Sequence, residues 1–136
     1  MFLGEFRHSL DEKGRLILPS RYRKELAGKG VLTPENPRCL ALWQPQRFEE
    51  KAVRMTSKRD DSGADQDEAL AYFSNADAVT IDSQGRMPIN EDLREFADLR
   101  GEVVLTGQFD HIQIWNPDKF LERKSAGEQI LGARRR

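Results

Sequence analysis

The sequence predicts an α+β fold, mainly β, in which two tandem hairpin repeats interlock about a pseudo-two-fold axis around one shared core. Three observations carry this. A turn is written twice, as "LDEKGR" from Leu10 and "IDSQGR" from Ile81, 71 positions apart. At an offset of 72, "CLALWQPQRFEEK" from Cys39 lies on "HIQIWNPDKFLER" from His111, so that Trp43 matches Trp115, Pro45 matches Pro117 and Phe48 matches Phe120. Chance can supply a shared turn, but a turn and a Trp-x-Pro-x-x-Phe cassette in the same order mark an internal repeat. Finally, a unit of roughly 60 residues buries too little of its own surface to be stable alone, so the two copies should share a core.

The first repeat reads most clearly. In "FLGEFRHSL" the residues Phe2, Gly4, Phe6, His8 and Leu10 fall on one side of a half-buried strand. Asp11 to Gly14 is turn chemistry: the aspartate can accept from nearby backbone N–H groups, and glycine takes positive φ without a Cβ clash. "RLIL" resumes as a strand, which puts the turn at a hairpin tip. Pro19 and Ser20 open a short helix, "RYRKEL". "GVLT" and "CLALW" are two further strands joined by "PENPR", and Pro45 starts an amphipathic helix with Phe48, Ala52 and Met55 on one face. Ser57 to Glu68 is polar and aperiodic and reads as a linker, followed by a helical "EALAYF". In the second repeat the strands are "ADAVTID", "RMPI", "EVVL" and "HIQIW", and the helices are "EDLREFA" and "PDKFLERK". The expected organisation is therefore a first repeat over 1–59, a second over 60–125 and a flexible tail over 126–136, with short helices flanking the strands.

Composition narrows the function. The chain has 136 residues, 38% of them hydrophobic and 33% charged, as in a globular protein; no apolar run approaches a membrane span. The N-terminus lacks a signal-peptide core and reads as part of the mature fold, which points to the cytoplasm. One cysteine, Cys39, with two histidines, His8 and His111, gives no metal-ligand spacing, so neither metal nor cofactor is expected. Trp43 and Trp115 read as core anchors, and Cys39 as a small core residue. The net charge of -1 hides an imbalance: residues 1–59 carry a net +6 and residues 60–130 a net -10, before Arg134, Arg135 and Arg136. The two ends meet different partners, or each other.

Asp11, Gly14, Asp82 and Gly85 are accounted for by turn geometry. Arg15 and Arg86 are not, since a turn does not require a guanidinium after its glycine. The planar fork of arginine fits two phosphate oxygens or the O6/N7 edge of guanine, and a two-stranded β-element is narrow enough for the major groove of duplex DNA. Lys13 and Arg7 in the first repeat, and Gln84 in the second, are candidate accessory contacts, with Arg21 and Arg23 adding positive potential. An enzymatic reading fails for want of a positioned nucleophile, histidine cluster or phosphate loop, although Asp11 with Glu12, or Asp60 with Asp61, can be drawn as carboxylate pairs. No small-molecule substrate is expected.

The paired "DEKGR" and "DSQGR", the following "LILPSRYR", and the repeated "LWQP" and "IWNP" resemble the MraZ family of bacterial transcription regulators over about residues 1–125. The resemblance implies a fold similar to the AbrB/MazE/SpoVT swapped-hairpin barrel, with two such units per chain and chains assembled into a ring. It further implies nucleoid-associated binding to short direct repeats in double-stranded DNA upstream of the division and cell-wall gene cluster, usually with repression. By position, Asp11 with Arg15 and Asp82 with Arg86 fill the family's Asp-x-x-x-Arg motifs. The alternative is an antitoxin-like or scaffold module built on the same barrel. The second copy departs from the first: Pro88 lies inside a strand and must sit at an edge, Asn90 replaces Pro19 and can cap the helix, and Glu91 and Asp92 are expected to place negative charge near the second tip. Arg15 is accordingly expected to be the stronger contact.

Overall fold

Alternation along the N-terminal segment produces strand β1 (Glu5–Ser9), with Phe6 and His8 turned inward and Glu5, Arg7 and Ser9 outward. The structure is a computed structural model and describes residues 1–58 and 62–134. After the first turn come β2 (Arg15–Ile17), α1 (Ser20–Leu26), the hairpin of β3 (Lys29–Glu35) and β4 (Cys39–Trp43), and α2 (Pro45–Lys58). Helix α3 (Gly63–Asn75) leads into β5 (Asp77–Thr80), the second turn, β6 (Arg86–Pro88), α4 (Glu91–Ala97), β7 (Glu102–Gly107), β8 (Ile112–Trp115) and α5 (Pro117–Arg134).

The strands form two antiparallel sheets, one of six strands in the order β1-β7-β8-β4-β3-β5 and one ribbon of two, β2-β6. The pairing is reciprocal. β1 pairs with β7 while its counterpart β5 pairs with β3, so the first strand after each start lies against the third strand of the other copy. The hairpin expected between β1 and β2 is only a bridge long, at Leu10 and Leu16, after which β2 leaves to pair with β6. The backbones of β1, β2, β5 and β6 thus find their strand partners in the other copy, while β3 with β4 and β7 with β8 pair within one.

Among the described residues Cys39, Val104, Trp115 and Phe120 form the smaller of two buried clusters, and the larger fills the space between the sheets and the two short helices. Leu16, Leu32, Leu40, Leu42, Met87, Leu105, Ile112 and Ile114 are fully buried there. α1 contributes Tyr22 and Leu26, four residues apart on one face, and α4 contributes the matching Leu93 and Ala97. Phe2 and Phe6 meet the Tyr22 ring edge-on at 5.5 and 5.1 Å. Pro19 begins α1 with no side-chain cap, whereas Asn90 caps α4 by accepting from the Leu93 amide at 2.9 Å. Pro88 lies on the two-stranded ribbon, where its missing N–H is harmless. Trp43 and Trp115 are buried, their indole N–H groups donating to Thr33 Oγ1 and Gln113 Oε1 at 3.0 Å each. Burial raises the Cys39 thiol to about 12, as befits an inert core residue.

Helices are longer than the sequence reading allowed. Most of the expected linker over 57–68 is helical, because α2 runs to Lys58 and α3 starts at Gly63 with Ser62 as its cap. α3 then buries Ala69 and Tyr72, and the Tyr72 hydroxyl donates to Glu35 at 3.0 Å. Residues 126–134, expected as a flexible tail, are the last turns of α5, so the helices are not all short. Asp60, Asp61, Arg135 and Arg136 lie outside the described residues.

The N-terminal segment crosses β7 at Gly107, whose amide donates to Gly4 O at 2.8 Å. A Cβ at Gly107 would overlap the backbone of Phe2 and Leu3. Gly107→Ala should therefore destabilise the fold by about 1–3 kcal/mol, the usual cost of overpacking against rigid atoms. The check is a urea melt: a lower midpoint at unchanged slope is expected, and an unchanged midpoint would show that the crossing has room.

Candidate nucleic-acid interface

Both turns are built alike. Asp11 Oδ1 accepts from the amides of Lys13 and Arg15 at 2.9 Å each, and the Gly14 amide donates to Asp11 O at 3.0 Å. Asp82 Oδ1 accepts from the amides of Gln84 and Arg86 at 2.9 Å each, and Gly85 donates to Asp82 O at 2.9 Å. Gly14 and Gly85 stand at φ +75 and +81, where a side chain would be strained.

The arginines complete the turns. Arg15 Nε donates to Asp11 Oδ2 at 2.8 Å and Arg86 Nε to Asp82 Oδ2 at 2.7 Å. This corrects the expectation that turn geometry has no use for them: each guanidinium closes on its own turn's carboxylate, and their side chains are only 30% and 33% exposed. One edge of the fork is thereby fixed, while the terminal nitrogens have no partner among the described residues. The bonded amides set the electrostatics of the carboxylates. Asp11 is held below its ordinary value of 3.8 chiefly by the Arg15 amide, and Asp82 chiefly by the Arg86 amide and then the Arg86 side chain.

The β2-β6 ribbon brings the pairs together. Leu16 opposite Met87 points into the core, while Arg15 opposite Pro88 and Ile17 opposite Arg86 lie on the outer face. Arg15 and Arg86 are thus diagonal neighbours, about 7–8 Å apart for this kind of pairing. Ile17 and Pro88 take the other two positions of this outer face, and Ile17 is 47% exposed.

The family model described as "MraZ protein, putative antitoxin-like" matches residues 1–70 and 72–127. The chain belongs to the MraZ family. A protein of Nocardioides sp. named "Transcriptional regulator MraZ" is 41% identical over 128 residues, covering 94% of this chain and 88% of its own. Proteins of the same name from Thermomicrobium roseum and Clostridium tetani are 37% and 33% identical, covering 98% and 96% of this chain and 91% and 94% of their own.

Of the other residues singled out in this MraZ chain by sequence, Lys13 and Gln84 sit on the exposed turns, their amides bound and their side chains outward. Arg7 does not join them in charge: it is paired with Glu102 at 2.9 Å along the β1-β7 edge. His111 stacks on Trp43 at 4.4 Å and is bonded to Asp110 at 2.7 Å, which makes it structural.

Sequence reasoning missed one feature, Arg94, and misplaced another. The reciprocal pairing carries each short helix to the turn of the other copy. Arg94 of α4 lies over Gly14, where a Cβ would come within 2.6 Å of its guanidinium, and Arg23 of α1 lies over Gly85, where the approach would be 2.5 Å. Arg23 and Arg94 match at the same 71-residue offset as the turns, which is the signal that was available in the sequence. The acidic helix carrying Glu91 and Asp92 therefore adjoins the first tip, not the second, and the basic α1 adjoins the second.

Because the folded state depresses both turn carboxylates, their contribution to stability is complete above about pH 4 and is lost as pH falls through the lower folded values. Replacing both Asp11 and Asp82 with asparagine should flatten the acid limb of the stability curve. Urea midpoints followed from pH 5 down to about pH 2 test this; a limb as steep as wild type would show that these carboxylates do not titrate against folding.

Proposed function

We propose that this chain is a sequence-specific DNA-binding transcriptional regulator that inserts the β2-β6 ribbon into the major groove. The observation that carries the reading is the pair of braced arginines, diagonal on one outward face of a two-stranded element. A groove about 12 Å wide admits such a ribbon. With Nε tied to Asp, the terminal fork of Arg15 or Arg86 is presented in a fixed direction, which lowers the ordering cost of a bidentate contact with guanine O6 and N7. Ile17, opposite Arg86 on the same face, is placed to meet a thymine methyl. Lys13 and Gln84 flank the ribbon and reach phosphate or sugar.

Membership of the MraZ family, whose relatives are named transcriptional regulators, supports a promoter as the target. Short direct repeats upstream of the division and cell-wall genes, with repression, cytoplasmic and nucleoid location, and assembly of copies into a ring, complete the proposal. The reciprocal strand exchange supports a core of the swapped-hairpin barrel type, with repeats over 1–59 and 60–125. The chain acts by binding and has no catalytic role. The family description "antitoxin-like" favours one second reading, a protein-docking module; its binding would depend far less on salt than contact through phosphates does.

A footprint on the DNA immediately upstream of this protein's own reading frame tests the proposal. Evenly spaced protection is expected, with Arg15→Ala or Arg86→Ala each weakening that site by about 10–100-fold, the worth of one bidentate base contact. Unaltered protection in both variants would remove the ribbon from the interface.

A further inference from the structure

We propose that the second turn, together with α1, forms a phosphate-binding hollow that anchors the DNA backbone, and that the first turn has no equivalent. This rests on the DNA-binding reading and goes beyond it, since Arg15 and Arg86 do not supply the charge. Each is neutralised by the aspartate of its own turn.

Beside the second turn the surface is indented by a hollow of about 330 Å³ lined by Ser20, Arg23, Lys24, Gly28, Ile81, Asp82 and Ser83. Two cations and two hydroxyls converge there, and the one carboxylate, Asp82, is already committed to Arg86. Arg23 has its Nε buried without a hydrogen-bond partner, and neither Arg23 nor Lys24 is in an ion pair among the described residues. A guanidinium held over Gly85 with unused donors, beside an exposed ammonium, suits the non-bridging oxygens of a phosphodiester.

The same positions around the first turn have the opposite chemistry. The 71-residue offset replaces Ser20 by Glu91, Lys24 by Glu95 and Ser83 by Glu12, leaving Arg94 as the lone counterpart cation. Arg94 also has a buried, unpartnered Nε, but three carboxylates occupy the places of the two hydroxyls and the ammonium. The hollow beside the second turn draws a phosphate, and the corresponding place beside the first turns one away.

Salt dependence separates this from a structural role. Affinity of the full chain is measured against salt concentration for the duplex upstream of its reading frame and for an unrelated duplex of equal length. Arg23→Gln and Lys24→Gln should each reduce the log-log slope by about 0.9 on both duplexes, one phosphate contact apiece, while Arg94→Gln leaves it unchanged. Lys24 is exposed, so its variant reports even where Arg23→Gln loosens the fold. Unchanged slopes for both Arg23→Gln and Lys24→Gln, or an equal drop for Arg94→Gln, overturn the hollow while leaving the ribbon intact. Saturable binding of inorganic phosphate to wild type but not to Arg23→Gln, without any slope change on DNA, would assign the hollow to free phosphate and overturn it as a backbone contact. Absence of DNA binding by wild type defeats the regulatory reading itself, an outcome distinct from all of these.

Discussion

The fold depends on an exchange of backbone hydrogen bonds at its centre. The Leu18 amide donates to Gly85 O at 2.9 Å and the Ile89 amide to Gly14 O at 3.0 Å, so the glycine of each turn is bonded to the strand end of the other repeat. Between these bonds, Leu16 and Met87 pack face to face with no exposure. A buried amide left without a partner is costly, and beyond the contacts of Arg15 with Asp11 and of Leu16 with Leu10, the strand partner of β2 is contributed by the second half of the chain. Neither half can adopt its native form without the other. The same exchange fixes which helix reaches which turn, because α1 follows β2 and α4 follows β6 to the far end of the ribbon.

That crossing decides the electrostatics. An aspartate that organises a turn through two amides also draws in the arginine after the glycine, and the pair that results is rigid and close to neutral. Rigidity favours recognition of a base edge, where direction matters more than net charge. Attraction of a polyanion needs uncompensated charge, which the Asp–Arg pair does not supply. The basic first repeat supplies it to the second turn through α1, and the acidic second repeat withholds it from the first through α4. The imbalance of +6 and -10 along the chain is thus brought together inside one molecule, where the halves interleave.

Much of this was legible in the sequence, wherever the determinant was local. Asp, Gly and Arg at fixed offsets, the Trp-x-Pro-x-x-Phe cassette, Asn90 as a cap and Pro88 at an edge are all set by residues within a few positions of one another. Helix α3 was less visible because it is exposed through most of its length and lacks apolar periodicity. Its one plain signal is Ser62, whose hydroxyl accepts from the Asp65 amide at 3.1 Å. The destination of α1 and α4 could not be read at all from either repeat alone. Proximity of Arg23 to Gly85 spans 62 residues and follows only once β2 is known to pair with β6 rather than with β1.

A fused pair of repeats can do what two identical copies of one repeat cannot. Two-fold symmetry in a protein that reads DNA is mirrored by palindromy in its site, since both ends of the element meet the same bases on opposite strands. The ribbon here keeps that symmetry in its backbone register and in its two Asp–Arg pairs, but loses it outside. Ile17 faces Arg86 where Pro88 faces Arg15, and a cationic hollow at one end is answered by carboxylates at the other. An element of this kind has two unlike ends to offer a duplex. On the DNA-binding reading proposed above, successive copies would point the same way along the duplex, which suits the proposed direct repeats better than an inverted pair.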